Sequence, residues 1–361
     1  MATDGSFRVF DAFDPSDADE WISLWESWPR REVQAHPGYV KLFAGLKSRG
    51  LCASWRSDDG CVLYPLILRD VTAETFCPST IARATDIITP YGYGGPYCWG
   101  ADDTRGLADE FWGSFDEWAT SEDVVSEFVR FSLFKDTLLD YPGDVEYKQD
   151  NIVRDLEPDE DAIVGDFKRK VRENAKKARS MGATVEVDAT GSRLDEFLRL
   201  YTMTMDRRNA LESYYFPRSF FEQIHDGFAG RFAYFFVKFG GETVSAQLVL
   251  MSAENAYGFL GGTNCEYFAV RPNDLMFHDI IVWLKRQGMR RYVLGGGYEP
   301  EDGIYQFKHS FAPTGMVPFH LGRRIHDQDI YDQFVECRRA IAERAGESYP
   351  QQPDFFPVYR A

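Results

Sequence analysis

Seven cations, Lys168, Arg169, Lys170, Arg172, Lys176, Lys177 and Arg179, crowd one short stretch of the chain against a single acid, Glu173. A helix carrying them can meet the phosphates of a nucleic acid through salt-sensitive contacts. Equally, it can be a solvated face that pairs with acids elsewhere. Arg207 and Arg208 close another helical stretch, with Tyr214, Tyr215 and Arg218 soon after. The guanidinium fork suits phosphate or carboxylate, although cations also cap helix C-termini. Tyr91-Gly92-Tyr93-Gly94-Gly95-Pro96 lets backbone approach a ligand closely, with Tyr91 and Tyr93 lining a cleft between domains, or else makes a tight connection. Gly295-Gly296-Gly297 carries the same two readings. Phe307-Lys308, taken alone, is an aromatic beside a surface lysine in a turn before Phe311. The histidines form no triad: His36 precedes proline, His278 lies in an apolar helix, and His309 points away from Lys308 on an extended chain. No serine or cysteine stands in a nucleophile motif, so a covalent intermediate is not expected.

The elements that must hold these residues follow from the apolar pattern. Phe232–Phe239 and Thr243–Met251 flank Gly240-Gly241 and read as a hairpin. A third strand follows at Ala256–Gly261. Pro272 opens a helix in which Leu275, Met276, Ile280, Trp283 and Leu284 recur at helical spacing and which Gly288 ends. Tyr292–Gly297 is a strand. Upstream, a long basic helix from Ala162 to Met181, a strand at Thr184–Val187 and helices at Leu194–Arg207 and Pro217–His225 are expected. The first half reads as a strand at Phe7–Phe10, a helix capped by Asp14, and a helix from His36-Pro37 through Lys47. A hairpin at Leu51–Trp55 and Cys61–Leu68, a helix at Leu107–Trp118 and a buried strand at Val124–Phe134 follow. After Val317 come a strand through Leu321, a helix through Arg344 and an irregular tail at Pro350–Pro357.

At 361 residues, with 44% hydrophobic residues, the chain is long enough for two domains. The acid-rich segment Leu156–Asp161 marks the boundary. One domain is expected over 1–157, joined by 318–361, and a second over 158–317. Residues 1–160 hold 31 acids and 14 bases, while residues 161–361 hold 26 of each, so the whole net charge of −17 sits in the first half. That makes a broad nucleic-acid footprint unexpected and leaves room for a local contact. It also suits a cationic small-molecule amine. The six cysteines lack the spacing of a zinc site or a disulfide framework, and no metal site is expected; they read mostly as buried thiols. No apolar run is long enough for a bilayer and the N-terminus has no signal-like pattern, so a cytoplasmic monomer without membrane insertion is expected.

Strand, strand, strand, helix, strand in the second half resembles the GNAT (N-acetyltransferase) fold. Members that bind coenzyme A open this helix with a glycine-containing loop whose amides face the pyrophosphate. Here that place holds Arg271-Pro272-Asn273-Asp274-Leu275, with no glycine between Gly262 and Gly288. Together with the Lys170–Arg179 helix, Met205-Asp206-Arg207-Arg208, the glycine-ended strand Val293–Gly297 and Phe307-Lys308, this resembles the FemABX family of aminoacyl-tRNA-dependent peptidyltransferases and its acetyltransferase-type relatives. The resemblance covers roughly 165–315; in the first half Thr89–Pro96 carries it loosely. It implies an α/β (α+β) fold of two tandem GNAT-like domains with mixed central sheets flanked by helices. It further implies transfer of an amino acid from aminoacyl-tRNA, a co-substrate and not a bound cofactor, to an amine on a peptidoglycan precursor or an antibiotic-type small molecule. Lys308 then becomes the cation that stabilises the ester oxyanion, with Phe307 aiming it. Arg207, Arg208, Tyr214, Tyr215, Tyr91 and Tyr93 become acceptor contacts, and Lys168, Arg169, Arg172, Lys176 and Lys177 tRNA contacts. Two alternatives stay open: an acyl-CoA-dependent N-acyltransferase, and a non-catalytic twin-GNAT protein that binds a ligand.

Overall fold

The computed structural model describes residues 5–45, 47–299, 301–350 and 355–361. Two compact units emerge: the first comprises Met1–Trp28, Gln34–Lys148 and Phe319–Ala361, the second Pro29–Val33 and Gln149–Pro318. Residues 149–157, counted with the first domain in the sequence, cluster with the second, as does the short segment 29–33.

The first unit contains β1 (Ser6–Asp11), α1 (Pro15–Ser27), α2 (Pro37–Phe43), β2 (Ser48–Ser57), β3 (Gly60–Asp70), β4 (Thr85–Ile88), β5 (Tyr97–Trp99), α3 (Thr104–Ser121) and β6 (Val124–Arg130). Asp14 caps α1 by accepting from the Asp17 amide at 3.0 Å, as a helix N-terminus with unpaired donors requires. α2 is shorter than expected: it stops at Phe43, Gly45 follows, and β2 has begun by Ser48. Strand β3 is buried on both faces, so its alternation sorts two sets of apolar residues rather than apolar from polar. Tyr64, Leu66 and Leu68 pack with Leu107, Phe111 and Phe115 of α3, while Leu63 and Ile67 pack with Trp21 and Trp25 of α1 and Val40 of α2.

The chain passes into the second unit along β7 (Asp144–Asp155), and there follow α4 (Glu160–Asp166), α5 (Arg169–Ser180), β8 (Thr184–Asp188), α6 (Leu194–Arg208), α7 (Arg218–Gly227), β9 (Phe232–Phe239), β10 (Glu242–Met251), β11 (Asn255–Thr263), α8 (Pro272–Arg286), β12 (Arg291–Gly295) and α9 (Gly303–His309). The chain then returns to the first unit through β13 (Met316–Ile325) and α10 (Gln328–Ala345). Sheet order is β1-β2-β3-β4-β6-β13 in the first unit, with β5 on β3, and β7-β12-β11-β10-β9-β8 in the second. The strands of each unit include a parallel pair, β4 with β6 and β11 with β12, among antiparallel neighbours. The Gly240-Gly241 turn has positive φ at both positions, the geometry that a tight hairpin between right-twisted strands needs. On β9 the faces again divide. Phe235 meets Trp283 of α8 with ring centroids 5.3 Å apart, and Tyr234 meets Phe197 of α6 at 5.0 Å.

Two elements differ from the sequence pattern. The helix from Ala162 to Met181 is broken at Phe167 and Lys168, both extended in ψ. Phe167 turns into the core against Phe311 (5.3 Å), the Lys168 amide donates to the Ser310 carbonyl (2.9 Å), and Arg154 pairs with Asp166 at the end of α4. Tertiary contacts thus outweigh a continuous helical pattern. Phe307 and Lys308 lie on a helix, α9, and not on an extended chain or turn; Asp302 caps it by accepting from the Tyr305 amide at 2.8 Å. The described cysteines are free; Cys52 and Cys98 are buried, Cys61, Cys77 and Cys337 half-buried and Cys265 exposed. Among the described residues no helix is long and apolar enough to cross a membrane, and no cluster of side chains has the makings of a metal site.

Candidate active site

β11 and β12 pair in parallel only over Asn255–Tyr257 and Arg291–Val293. Beyond that point β11 bulges at Phe259 and β12 at Leu294, and bulges re-aim side chains where pairing ends. A cavity of about 290 Å³ opens there, entirely within the second unit. Its walls include Gly258, Phe259 and Gly261 to Thr263 of β11, Tyr292 and Leu294 of β12, the first turns of α8, and Ile304, Phe307 and Lys308 of α9. Arg207 and Arg208 of α6 also line it. Gly262 lets α6 come close: a Cβ there would stand 2.2 Å from the Leu200 carbonyl.

The structure therefore brings four residues singled out by sequence, Lys308, Phe307, Arg207 and Arg208, to one cavity. Lys308 is partly buried, and its ammonium donates to the Gly296 carbonyl at 2.7 Å. Burial lowers its pKa to about 8, against the opposing pull of Asp302, so it is mostly cationic at neutral pH. Phe307 packs edge-on against Phe277 (5.1 Å) and Phe311 (5.3 Å), fixing the turn of α9 that carries the lysine. Asp302 organises the approach as well, accepting from the Tyr298 amide at 2.8 Å. Arg207 and Arg208 are exposed, and the Arg207 guanidinium sits 5.3 Å from the Phe268 ring centre. Among the described residues no Asp, Glu, His or Cys lines the cavity, so its ionisable walls there are three cations and the Tyr292 phenol. Such a site stabilises developing negative charge and supplies no carboxylate or imidazole base.

The other residues fall elsewhere. Tyr215 donates to Asp206 at 2.9 Å, beside Arg207, and the Tyr214 carbonyl accepts from Tyr201; neither lines the cavity. Tyr91 lines a separate cavity in the first unit, whereas Tyr93 packs edge-on against Phe319 at 5.6 Å. His309 stacks on Tyr305 and hydrogen-bonds the Pro313 carbonyl at 2.9 Å, away from the cavity. On α5, Val171, Ala175 and Ala178 are buried, leaving Lys168, Arg169, Lys170, Lys176, Lys177 and Arg179 exposed. Arg169 pairs with Glu173, Arg172 caps the Gly165 carbonyl and Arg179 pairs with Asp279. Lys176 and Lys177 make no ion pair among the described residues.

The opening of α8 is occupied by the chain's own groups. Arg271, at φ +64°, precedes it without a side-chain cap, and Asp274 in the first turn is only 4% exposed. Its carboxylate accepts from Asn174 of α5 at 3.0 Å and pairs with Arg271 at 3.2 Å. Burial raises its pKa, opposed by Asn174 and Arg271. The Asn273 side-chain oxygen accepts from Ser245 (2.9 Å) and Thr263 (2.7 Å). A carboxylate thus stands where the positive end of the helix dipole would otherwise attract a foreign anion.

One group had no signal in the sequence. The Tyr292 hydroxyl is buried with no hydrogen-bond partner among the described residues, 2.8 Å from where a Cβ on Gly258 would stand. An orphaned hydroxyl costs about 1–3 kcal/mol. Tyr292→Phe is therefore expected to leave unfolding free energy unchanged or raise it by about 1 kcal/mol. Urea denaturation checks this, and a loss of more than about 1 kcal/mol would reveal a partner for the hydroxyl.

Residues 165–309 match the sequence model of the family described as "Acetyltransferase (GNAT) domain". No curated protein sequence matches the chain. Among solved structures, FemX is similar over 87% of this chain and 97% of its own, with a TM-score of 0.66 at 15% identity. The C-terminal domain of a putative lysylphosphatidylglycerol synthetase from Agrobacterium fabrum is similar over 90% of this chain and 97% of its own (TM-score 0.53, 14% identity). L-PGS from Bacillus licheniformis is similar over 93% and 99% (TM-score 0.51, 15% identity). The chain has the FemX-like fold of two GNAT-type domains, with the matched acetyltransferase-type domain in its second unit.

Proposed function

We propose that the second-unit cavity is the acyl-transfer site of an aminoacyltransferase that moves an amino acid from aminoacyl-tRNA to an amine, on a small molecule or a peptidoglycan precursor. The observation that carries this reading is the pairing of an all-cationic cavity around Lys308 with an α8 N-terminus already filled by Asp274. As the amine attacks the ester carbonyl, the C–N bond forms and charge collects on the carbonyl oxygen. Lys308 has one N–H on Gly296 and two left to donate to that oxygen. Collapse breaks the ester C–O bond, and the proton lost by the amine goes to the departing ribose hydroxyl. The exposed cations of α5 suit the acceptor stem, and Arg207 and Arg208 suit an anionic group of the acceptor.

The test is incubation of the purified protein with mixed charged tRNAs and a cell extract as acceptor source. The expected result is a mass addition equal to one amino-acid residue that disappears when the tRNA is first digested. An addition that survives digestion and depends on added acyl-CoA would replace this reading with an acyl-CoA N-acyltransferase, the reading that the matched domain's description favours.

A further inference from the structure

The first unit holds a second cavity, of about 430 Å³, to which Lys47, Arg69, Arg130 and Arg360 all contribute. Three of these four cations come from the half of the sequence that is otherwise strongly acidic, and Asp70 and Glu74 stand on the same walls. Two of the guanidiniums are held by one fully buried carboxylate. Arg69 Nε donates to Asp86 Oδ1 at 2.6 Å and Arg360 Nε to Asp86 Oδ2 at 2.5 Å. Arg360 Nη1 also donates to Glu74 at 2.7 Å. Each fork still keeps an enclosed Nη2 without a hydrogen-bond partner among the described residues. Asp86 and Glu74 offset these two charges, but the unmet donors remain, and an unmet donor on a charged group is costly to enclose. Apolar groups line the cavity too: Ile67, Ile88 and the Phe43 and Tyr91 rings, whose centroids lie 5.7 Å apart.

We propose that this cavity binds a small organic anion, a carboxylate or phosphate monoester joined to an apolar or aromatic body. The forks of Arg69 and Arg360 take the anionic group, Lys47 adds long-range attraction, and the body lies against Phe43 and Tyr91. Asp86 acts as the positioning residue that aims both forks. The proposal stands apart from the donor chemistry of the second unit, and its test reads binding alone.

Phenyl phosphate and benzoate serve as probes, titrated calorimetrically into the full chain at low and high salt. At least one should bind saturably at millimolar concentration or below, more weakly at high salt; the stronger of the two identifies the anionic group. Arg69→Lys keeps the charge and a donor for Asp86 but removes the fork, and should weaken binding about tenfold. Lys47→Ala contacts neither Asp86 nor the core, so it serves if the arginine variant does not fold; it should weaken binding several-fold at low salt. Absence of saturable binding by either probe would overturn the proposal. So would affinities that stay unchanged in the folded variants.

Discussion

Lys308→Met is expected to lower the rate of amino-acid transfer by about 10²–10³-fold while making the protein more stable. Both effects come from the same burial. The ammonium sits where its pKa falls to about 8 from an ordinary 10.5, so folding works against this charge whenever it is protonated. The sign follows from linkage. Below pH 8 the lysine is charged in both folded and unfolded chains, and the folded state carries the full penalty. Between pH 8 and 10.5 the folded chain loses the proton first and the penalty disappears. The gain from Lys308→Met should therefore be about 1–3 kcal/mol at pH 7, after loss of the Gly296 hydrogen bond, and near zero above pH 10.5. Native activity should decline as pH rises through about 8, as the cation is lost. Urea denaturation at the two pH values and a pH–rate profile check these results together. A destabilised, fully active variant would remove Lys308 from the site.

Glu32→Ala should have the largest effect on stability. Glu32 lies on the short segment 29–33 that belongs to the second unit, and it is 2% exposed. Its carboxylate accepts from Asn255 Nδ2 at 2.5 Å and from the Tyr257 hydroxyl at 2.7 Å. Truncation removes the acceptor that both donors share and should cost about 2–5 kcal/mol, lowering the melting temperature on the order of 10 °C. Glu32→Gln keeps an acceptor and removes a buried charge, so it should cost far less. Burial raises the Glu32 pKa, opposed by Ser252, Tyr257 and Asn255. The folded chain thus holds this proton to higher pH than the unfolded one, and the stability it contributes at low pH fades as pH rises from the ordinary glutamate range. Glu32→Gln has no such dependence, so its stability relative to the native chain should be higher at pH 7.5 than at pH 5. Denaturant titrations at both pH values check this.

How far the sequence carried these conclusions depended on the length of each signal. The Phe232–Met251 hairpin, with two glycines between apolar runs, and α8, with Pro272 at its start and Gly288 beyond its end, were legible because local chemistry and packing agree. β4 and β5, of four and three residues, carry too few positions for any period to show, and β7 is polar and exposed over its first half. The break at Phe167 came from partners far along the chain, Arg154 and Phe311, which no window around it contains. For the site, the family resemblance singled out Lys308, and residue type with that resemblance the Arg207-Arg208 pair, but their convergence on one cavity depends on where β11 and β12 part. The orphaned Tyr292 hydroxyl and the Gly296 carbonyl under Lys308 are consequences of packing and had no pattern to reveal them.

The claim on which the rest turns is that Asp274 and its partners close the α8 N-terminus to a cofactor pyrophosphate. Calorimetric titration of acetyl-CoA into the native protein tests it directly. No saturable heat is expected up to millimolar acetyl-CoA. Micromolar binding that a pyrophosphate-bearing fragment of the cofactor competes away would contradict it.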